Sequence, residues 1–397
     1  MNVILFEDSF AEKFLPLTFT RPVGALRIGM LTIAEKWSHA LQFEVSHECR
    51  SYLSIQFPAK RLAQSILINA RLLPTTGVVS AIQALQPDQC LMQDDVLIAG
   101  YTANAAQIDN KQFTSQQKIS DTFMLNHITD LFTKNDEALK LDYDVMKRGH
   151  ISESLDSSIV TIGDTSKIFM AEGAKVYACT LNTHDGPIYI DKNAEVMEGA
   201  HIRGPFYLGQ HSHLKMGAKV YGPTTIGPHC KVGGEVSNSI LQGYSNKAHD
   251  GFIGNTLIGE WCNLGADTNT SNLKNNYSSV KIFDYGRNDM TDTGLTFCGL
   301  IMGDHSKCGI NTMFNTGTVC GVGSNIFGGD FPPKHIPSFV WGGSDGFSEY
   351  DFEKMIATAR QVYTRRGLVL SDNEERIMRN VFEMTAKHRT AATQSQD

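Results

Sequence analysis

Two polar stretches of the chain combine residue types that could perform acid–base chemistry. The first, 246–254, contains Lys247 and His249, and the second, 266–272, ends in Asn272. A histidine suits the role of a general base because its ordinary pKa of about 6.5 lets it accept a proton near neutral pH. For any one of the 13 histidines taken alone, a hydrogen-bonded surface position is the simpler interpretation. His249 is singled out because it lies at an interruption of a regular repeat.

That repeat has a period of six residues and runs through 190–233. The aliphatic residues at this spacing are Ile190, Val196, Ile202, Leu208, Leu214, Val220, Ile226 and Val232. The small residues two positions before most of them are Ala194, Ala200, Ser212, Ala218, Thr224 and Cys230. An α-helix and a flat strand have periods of about 3.6 and about 2, whereas each hexapeptide of a parallel β-helix covers one side of a prism and turns inward once. The sequence therefore predicts a parallel β-helix.

The phase of the repeat is interrupted twice, both times in polar sequence. It slips after Val232 and resumes at Ile258, and a second interruption, 271–297, precedes its return at Met302. A solenoid accepts insertions at its corners, and such insertions tend to build the binding face. We therefore expect the chemistry at these interruptions, and we expect 271–297 to be a polar loop that leaves from a corner.

The repeat also divides the chain of 397 residues into predicted parts. These are, in order, a small α/β domain, a helical connector, the β-helix and a segment with two amphipathic helices, at 1–125, 126–158, 159–333 and 334–389. Pro332 and Pro333 are expected to end the β-helix. The last eight residues, 390–397, are expected to be disordered.

Composition narrows the class of protein. The formal net charge of −7 leaves no basic excess to neutralise nucleic-acid phosphates. The N-terminus lacks a signal-peptide pattern, and no apolar run approaches the roughly 20 residues that span a bilayer. The 8 cysteines form no C-x-x-C pair, so neither a zinc site nor a disulfide framework is expected. We expect a cytoplasmic protein with no nucleic-acid or membrane partner.

The residues around His249 resemble those of a known enzyme family. The order Lys247-Ala-His249, then Ile253-Gly254, then a Gly-Ala-Asp-Thr run that ends at Asn272 is similar to the acetyltransferase domain of the bifunctional N-acetylglucosamine-1-phosphate uridyltransferase/glucosamine-1-phosphate acetyltransferases. That family is a left-handed β-helix trimer that uses acetyl-CoA. The resemblance implies a left-handed β-helix, a homotrimer, a sugar-phosphate substrate and acetyl-CoA as co-substrate.

The resemblance also implies roles for single residues. His249 stands where the family has the base that deprotonates the sugar amine, and Asn272 stands where an asparagine binds the sugar. Both are assigned to the catalytic site, His249 as the base and Asn272 as the residue that positions the acceptor. Phe252 replaces a substrate-binding tyrosine, Lys215 replaces a phosphate-binding arginine, and Lys247 is expected to contact substrate. Because Phe252 lacks a hydroxyl and lysine cannot bind phosphate in a bidentate manner, the amine acceptor could differ from that of the family.

A cofactor position follows from the same resemblance. In such trimers the pantetheine arm lies along the groove between neighbouring coils. The residues at corresponding places are Gly309, Thr312, Phe327 and Gly328. Lys334 could contact the phosphates of CoA. Each of these residues is equally well interpreted as a structural residue of a corner.

The N-terminal part resembles the nucleotidyltransferase half of this family more distantly, through 21–29 and 69–74. The glycine-rich phosphate loop of the family is absent. Nucleotide binding is assigned to Arg21, Gly24, Arg27 and Asn69, because arginines around a glycine could hold a triphosphate. A structural role for these residues is equally credible.

Nucleotidyl transfer would also need Mg²⁺ held by a carboxylate. The family's metal-binding aspartate is expected after the strand that ends at Ile68, but Asn69 follows there. Asp8, Asp94 or Asp95 could replace it, and nothing in the sequence selects among them. No metal ligand is therefore assigned.

Three hypotheses remain open. The first is N-acetylation of an amino-sugar phosphate by acetyl-CoA in nucleotide-sugar synthesis. The second is sugar-1-phosphate nucleotidyl transfer from UTP, with Mg²⁺. The third is a trimeric scaffold that binds a nucleotide sugar without catalysis.

Overall fold

The computed structural model of the protein describes residues 2–102 and 112–394. The chain divides into two compact units. The first comprises Met1–Phe14, Thr20–Leu26 and Leu31–Ile128. The second comprises Leu15–Phe19, Arg27–Met30 and Thr129–Asp397, so two short N-terminal segments belong to the C-terminal unit.

The first unit has a six-stranded sheet. Across the sheet the strands are Val45–Glu48, Asn2–Phe6, Ser65–Asn69, Val96–Thr102, Gln89–Gln93 and Ser115–Lys118. The first three run parallel, and Val96–Thr102 is antiparallel to both of its neighbours. The remaining elements are the helices Ile33–Leu41 and Thr76–Gln83, the 3₁₀ turns Ser9–Phe14 and Val23–Ala25, and the short strand Leu31–Thr32. The prediction of an α/β fold is confirmed.

The second unit contains the predicted left-handed β-helix, a three-sided prism of parallel strands. The strands of the first face are Ile168–Met170, Ile188–Ile190, Phe206–Leu208, Thr224–Ile226, Ile240–Gly243, Leu257–Glu260, Ile301–Met302, Val319–Cys320 and His335–Ile336. Those of the second face are Lys175–Val176, Glu195–Val196, His213–Leu214, Lys231–Val232, Asn246–Lys247, Asn263–Leu264, Lys307–Cys308, Asn325–Ile326 and Val340–Gly343, followed by antiparallel Gly346–Glu349. Those of the third face are Val160–Ile162, Thr180–Asn182, His201–Arg203, Lys219–Tyr221, Glu235–Ser237 and Phe252–Gly254, with Asn269–Thr270 and Met313–Phe314 paired separately.

The six-residue spacing places the aliphatic side chains inside the prism, as the sequence predicts. Val196 pairs with Leu214 and Leu214 with Val232 on successive coils, and all three side chains are fully buried. The small residues Ala194, Ala200, Ser212, Ala218, Thr224 and Cys230 are likewise buried. Burial of one aliphatic side chain per hexapeptide is the main favourable term that holds successive coils together.

The corner between the first and second faces carries a stack of rings, which we call the ring ladder. Its members are His211, His229, Tyr244, Trp261 and His305, all in the left-handed backbone region with φ between 53° and 61°. Ring centroids are 5.0, 4.6 and 4.3 Å apart from His211 to Trp261. Tyr363, from the C-terminal helices, stacks on Trp261 at 3.9 Å and joins the ladder from outside the prism.

The second interruption is more ordered than the expected polar loop. It contains an antiparallel hairpin, Lys281–Asp284 with Asp289–Asp292, above a neck where Leu273 and Phe297 form an isolated bridge. Phe283 is only 9% exposed and stacks on His335 at 3.5 Å. The hairpin is ordered because it buries apolar side chains such as Phe283. A count of polar residues in the sequence cannot show this burial.

The C-terminal part extends both the β-helix and the helical segment beyond the predictions. After Pro332 and Pro333 the coils continue, because His335–Ile336 and Val340–Gly343 pair with the preceding coils.

The helices of the second unit lie before and after the β-helix. The connector helices are Asp130–Thr133 and Asn135–Met146, a 3₁₀ turn covers Thr165–Lys167, and the C-terminal helices are Phe352–Thr364, Asp372–Met384 and Ala386–Gln394. The prediction of disorder from 390 onward is wrong for 390–394, which belong to the helix Ala386–Gln394. Residues 395–397 lie outside the described residues. Among the described residues, no helix is long and apolar enough to cross a membrane.

Candidate functional site

Several of the predicted site residues lie along one corner, between the second and third faces, which we call the His249 corner. Lys215, His249 and Phe327 each follow a second-face strand directly or by one residue. A β-carbon added at Gly233 would lie 3.1 Å from Lys215 Cβ and 2.5 Å from the Ala248 carbonyl oxygen, so these coils are in contact. The coil that carries Gly233 thus lies between the coil of Lys215, the predicted phosphate-binding lysine, and the coil of His249, the predicted base.

Lys247 occupies a core position of the prism. It pairs with Val232 on the preceding coil, and its side chain is 1% exposed. Its Nζ atom donates hydrogen bonds to the carbonyl oxygens of His249 at 2.5 Å and Asp250 at 2.9 Å. Burial lowers the pKa of Lys247 to about 8. The expectation that Lys247 contacts substrate is not met: its ammonium holds the turn that presents His249.

The turn at His249 is fixed from both sides, while its imidazole is exposed. The backbone N–H of Asp267 donates to the carbonyl oxygen of Asp250 at 3.1 Å. Gly251 has φ +106°, a conformation that favours glycine, and a β-carbon there would lie 2.2 Å from the Thr268 carbonyl oxygen. A rigid turn with a solvent-accessible imidazole leaves this ring open to contact with a bound substrate, which a general base requires.

Phe252 and Asn272 come together above Gly254 on the third face. A β-carbon at Gly254 would lie 2.5 Å from Phe252 Cζ and 2.6 Å from Asn272 Nδ2. The Asn272 amide also donates to Asn255 Oδ1 at 2.8 Å, and the Phe252 N–H donates to Asn269 Oδ1 at 2.8 Å. These contacts leave a fixed aromatic ring beside a fixed amide, a combination that suits a sugar ring and its hydroxyl groups.

The predicted cofactor residues separate into two places. Gly309 lies at the His249 corner, where a β-carbon added to it would be 3.5 Å from Phe327 Cβ, and Gly328 follows Phe327. Thr312 is 3% exposed and its hydroxyl donates to the Gly309 carbonyl oxygen at 2.9 Å. The hydroxyl of Thr312 is thus used within its own coil, which favours the structural interpretation for this residue.

Lys334 lies at the other end of the third face, at the corner with the first face. Its Nζ atom donates to Thr316 Oγ1 at 3.3 Å. Burial lowers the pKa of Lys334, and the nearby charge of Lys274 lowers it further. Lys274 stands two residues after Asn272 in the neck of the hairpin, and no motif in the sequence marks it. Two like charges at one corner repel each other and would attract an anion.

The predicted nucleotide-binding residues are divided between the two units. Arg27 belongs to the second unit, where its backbone N–H donates to Gln242 Oε1 at 2.7 Å and its guanidinium contacts the Gln242 and Met30 carbonyl oxygens. Its assignment to nucleotide binding is therefore corrected to a structural role within that unit. Arg21 is 8% exposed, and Gly24 in the same loop packs closely against Leu5 and His47 of its own unit.

Asn69 is fully buried and serves a neighbouring carboxylate. Its amide donates to Asp8 Oδ2 at 2.9 Å and to the Leu97 carbonyl oxygen at 3.3 Å. Arg71 binds the same aspartate through Nε, at 3.0 Å to Oδ1, and through Nη2, at 2.6 Å to Oδ2. Burial alone would raise the pKa of Asp8, but the bonds from Arg71 and Asn69 hold it below its usual value. Asn69 is thus part of an ion-pair network.

The network at Asp8 does not fit a magnesium ion. Asp8 Oδ1 accepts from the Phe10 N–H at 3.0 Å and from Arg71, and Oδ2 accepts from Asn69 and Arg71. A carboxylate offers about four lone-pair sites, so these donors occupy them all. Asp94 and Asp95 are exposed in the turn between two strands. Among the described residues, no group of three or more His, Cys, Asp or Glu side chains is arranged to hold a metal ion.

The N-terminal part matches a known family model. Residues 3–151 match the family described as sugar nucleotidyl transferase. The first unit is a nucleotidyltransferase-like domain. Because the match covers less than half of the chain, it describes this part alone.

Two curated relatives are similar to parts of the chain. The bifunctional protein GlmU of Methanocaldococcus jannaschii is 36% identical over 93 residues, which cover 23% of this chain and 22% of that protein. The bifunctional sugar-1-phosphate nucleotidylyltransferase/acetyltransferase of Sulfurisphaera tokodaii is 32% identical over 146 residues, 36% of each chain. The resemblance to this bifunctional family is confirmed, over about a fifth and about a third of the lengths of these relatives.

Two solved structures also resemble the chain. The Arabidopsis UDP-N-acetylglucosamine acyltransferase has a TM-score of 0.25 and 16% identity, covering 61% of this chain and 95% of that one. The polySia-specific acetyltransferase NeuO has a TM-score of 0.27 and 11% identity, covering 53% of this chain and 99% of that one.

Proposed function

We propose that the protein is an acetyltransferase that transfers the acetyl group of acetyl-CoA to the amine of an amino-sugar phosphate, in cytoplasmic nucleotide-sugar synthesis. The observation that carries this proposal is the turn at His249, held by the buried Lys247 ammonium with its imidazole exposed. A buried lysine in an aliphatic position is costly unless its ammonium is hydrogen-bonded. Its use to fix one turn favours a functional role for the side chain that the turn presents.

The chemistry assigns one proton path. The amine nitrogen of the acceptor attacks the thioester carbonyl, a C–N bond forms and the C–S bond breaks. His249 takes the proton that the amine loses and passes it to the departing CoA thiolate. General base catalysis of this kind contributes roughly 10²- to 10⁴-fold to the rate. In this proposal His249 is the catalytic residue.

The acceptor would lie on the third face, beside His249. Phe252 offers an apolar surface to one face of the sugar, and Asn272 offers an amide to its hydroxyl groups. Lys215, two coils before the His249 turn, would bind the phosphate of the acceptor as a point charge. We retain Lys215 and Phe252 as substrate-binding residues and Asn272 as the residue that positions the acceptor at the catalytic site.

Acetyl-CoA would lie along the later coils of the His249 corner, past Gly309, Phe327 and Gly328. Lys334 stands across the third face from that corner, at the corner with the first face. We therefore assign Lys334 to the phosphates of a CoA bound between protomers of a homotrimer. Light scattering tests this assembly, and a monomer in solution would remove the groove that the assignment needs.

The decisive experiment measures thiol release from acetyl-CoA with glucosamine 1-phosphate and related amino-sugar phosphates as acceptors. His249→Ala should lower kcat by roughly 10²- to 10⁴-fold with unchanged circular dichroism and oligomeric state. The matched control is His184→Ala, since His184 is also exposed on the β-helix. Full turnover by His249→Ala would refute the assignment of the base.

A second function, sugar-1-phosphate nucleotidyl transfer from UTP, is favoured by the family match of residues 3–151. Pyrophosphate release from UTP and a hexosamine 1-phosphate tests it. A scaffold without catalysis is the third possibility. It would be supported by calorimetry that detects no binding of acetyl-CoA or UTP.

A further inference from the structure

Two successive carboxylates, Glu7 and Asp8, directly follow the strand Asn2–Phe6, and both are bound by arginines. It lies between two parallel strands, Val45–Glu48 and Ser65–Asn69. In open α/β sheets, ligands bind beyond the carboxyl ends of the strands where the connections diverge to opposite sides. Glu7 and Asp8 directly follow the carboxyl end of this strand. Carboxylate oxygens are ligands that magnesium prefers, so these two side chains are the candidate ligands at this strand end.

Glu7 is saturated in the same way as Asp8. Its Oε1 accepts from the Val23 N–H at 2.9 Å and from Arg50 Nη2 at 3.2 Å. Its Oε2 accepts from the Arg50 N–H at 3.2 Å and from Arg50 Nε at 3.1 Å. The side chain of Glu7 is only 6% exposed. Each of its oxygens therefore has two donors, which matches the lone pairs available.

The arginines are as fully engaged as the carboxylates. The side chain of Arg71 is 2% exposed, and its Nη1 donates to the Leu125 carbonyl oxygen at 2.9 Å and to Asn126 Oδ1 at 2.7 Å. Breaking the Asp8–Arg71 pair to admit a cation would leave a buried guanidinium without its counter-charge, which is strongly destabilising. A magnesium ion also gives up its water ligands reluctantly. The ion pairs therefore exclude the cation by both geometry and charge.

We propose that the first unit has no divalent-cation site at Glu7 and Asp8. Two arginines, Arg50 and Arg71, occupy the place where a metal ion would bind these carboxylates, and each is paired with its own carboxylate. At this strand end the carboxylates of the nucleotidyltransferase-like unit therefore serve ion pairs instead of holding a metal ion. This inference is independent of acetyl transfer by the second unit.

The test measures binding of Mn²⁺, a paramagnetic substitute for Mg²⁺, by electron paramagnetic resonance on the full chain. The wild type and Asp8→Asn should bind Mn²⁺ equally weakly, and Glu7→Gln should behave the same. Glu12→Gln is the matched control, since Glu12 is an exposed carboxylate in the same region. A bound Mn²⁺ that Asp8→Asn or Glu7→Gln removes would overturn the proposal.

Discussion

The Nζ atom of Lys247 lies 2.5 Å from the carbonyl oxygen of His249, two residues further along the chain. Lys247 points into the prism at a position that the preceding coil fills with Val232. The ammonium thus connects the core of the β-helix to the turn that presents the proposed base. Such a connection fixes the turn more firmly than a surface hydrogen bond would, because the interior strengthens polar contacts and excludes water.

Lys247→Met is expected to lower kcat for acetyl transfer by roughly 10- to 100-fold, because a small displacement of a catalytic group has an effect of this size. The KM for acetyl-CoA should stay unchanged, since Lys247 contacts the turn and not the cofactor. Steady-state kinetics of thiol release measure both parameters. Lys231→Met, an exposed position on the second face, is the control. An unchanged kcat in Lys247→Met would show that the turn holds its geometry without the ammonium.

The stability of the protein should rise with pH through the titration of Lys247. Burial lowers the pKa of Lys247 to about 8 in the folded chain, whereas the pKa of a lysine in an unfolded chain is about 10.4. Between these pH values the unfolded state binds more protons, so the free energy of unfolding increases as pH rises. Relative to Lys247→Met, the wild type should gain on the order of 3 kcal/mol across this window and nothing below it. Urea denaturation at pH 7, 8, 9 and 10 measures the difference, and parallel pH profiles of the two proteins would contradict it.

Gly254→Ala should disturb the acceptor site while leaving the coil folded. The added methyl group would lie 2.5 Å from Phe252 Cζ and 2.6 Å from Asn272 Nδ2, so the ring and the amide must move apart. We expect KM for the amino-sugar phosphate to rise by about tenfold, the effect of losing one or two hydrogen bonds. Gly329→Ala, which meets no atom within 4 Å, is the control. Equal kinetics of both variants would separate Phe252 and Asn272 from the acceptor site.

Lys334→Ala and Lys274→Ala should weaken binding of the CoA phosphates. Each variant is expected to raise KM for acetyl-CoA several-fold, as expected for the loss of one charge-assisted contact. The KM for acetyl-pantetheine, which lacks those phosphates, should not change. Lys281→Ala, an exposed lysine of the same hairpin, is the control. If KM rises instead for the amino-sugar phosphate alone, the two lysines bind the phosphate of the acceptor.

The sequence predicts the β-helix well because one side chain per hexapeptide must point inward. That requirement appears directly as the spacing of residues such as Val196, Leu214 and Val232. Lys247 shows the limit of this reasoning. It fills a core position, but the phase slip before it hides that position, and its polarity suggests contact with substrate.

Long-range pairing accounts for most of the other differences. Arg27 meets Gln242, far along the chain, and no local pattern indicates this contact. Arg71 stands two residues after Asn69 in the sequence, but only the folded sheet brings it to Asp8. The partner of Lys334 at its corner, Lys274, is likewise supplied by the hairpin neck. Spacing identifies residues on one element, whereas charge pairs depend on which elements meet.

The ring ladder has a consequence for how the molecule can change in length. Each ring must arrive at the same corner to meet the rings of the coils before and after it, so inserting one residue on the first or second face would break the stack. The long insertion of this chain leaves instead from the corner between the third and first faces, near Asn272. Insertions and deletions are thereby confined to the third face and its corners, which carry the proposed site. The ring ladder, at the corner between the first and second faces, keeps the coils in register. Because Tyr363 closes the stack on Trp261, the coils of the ladder and the helix Phe352–Thr364 should unfold as one cooperative block.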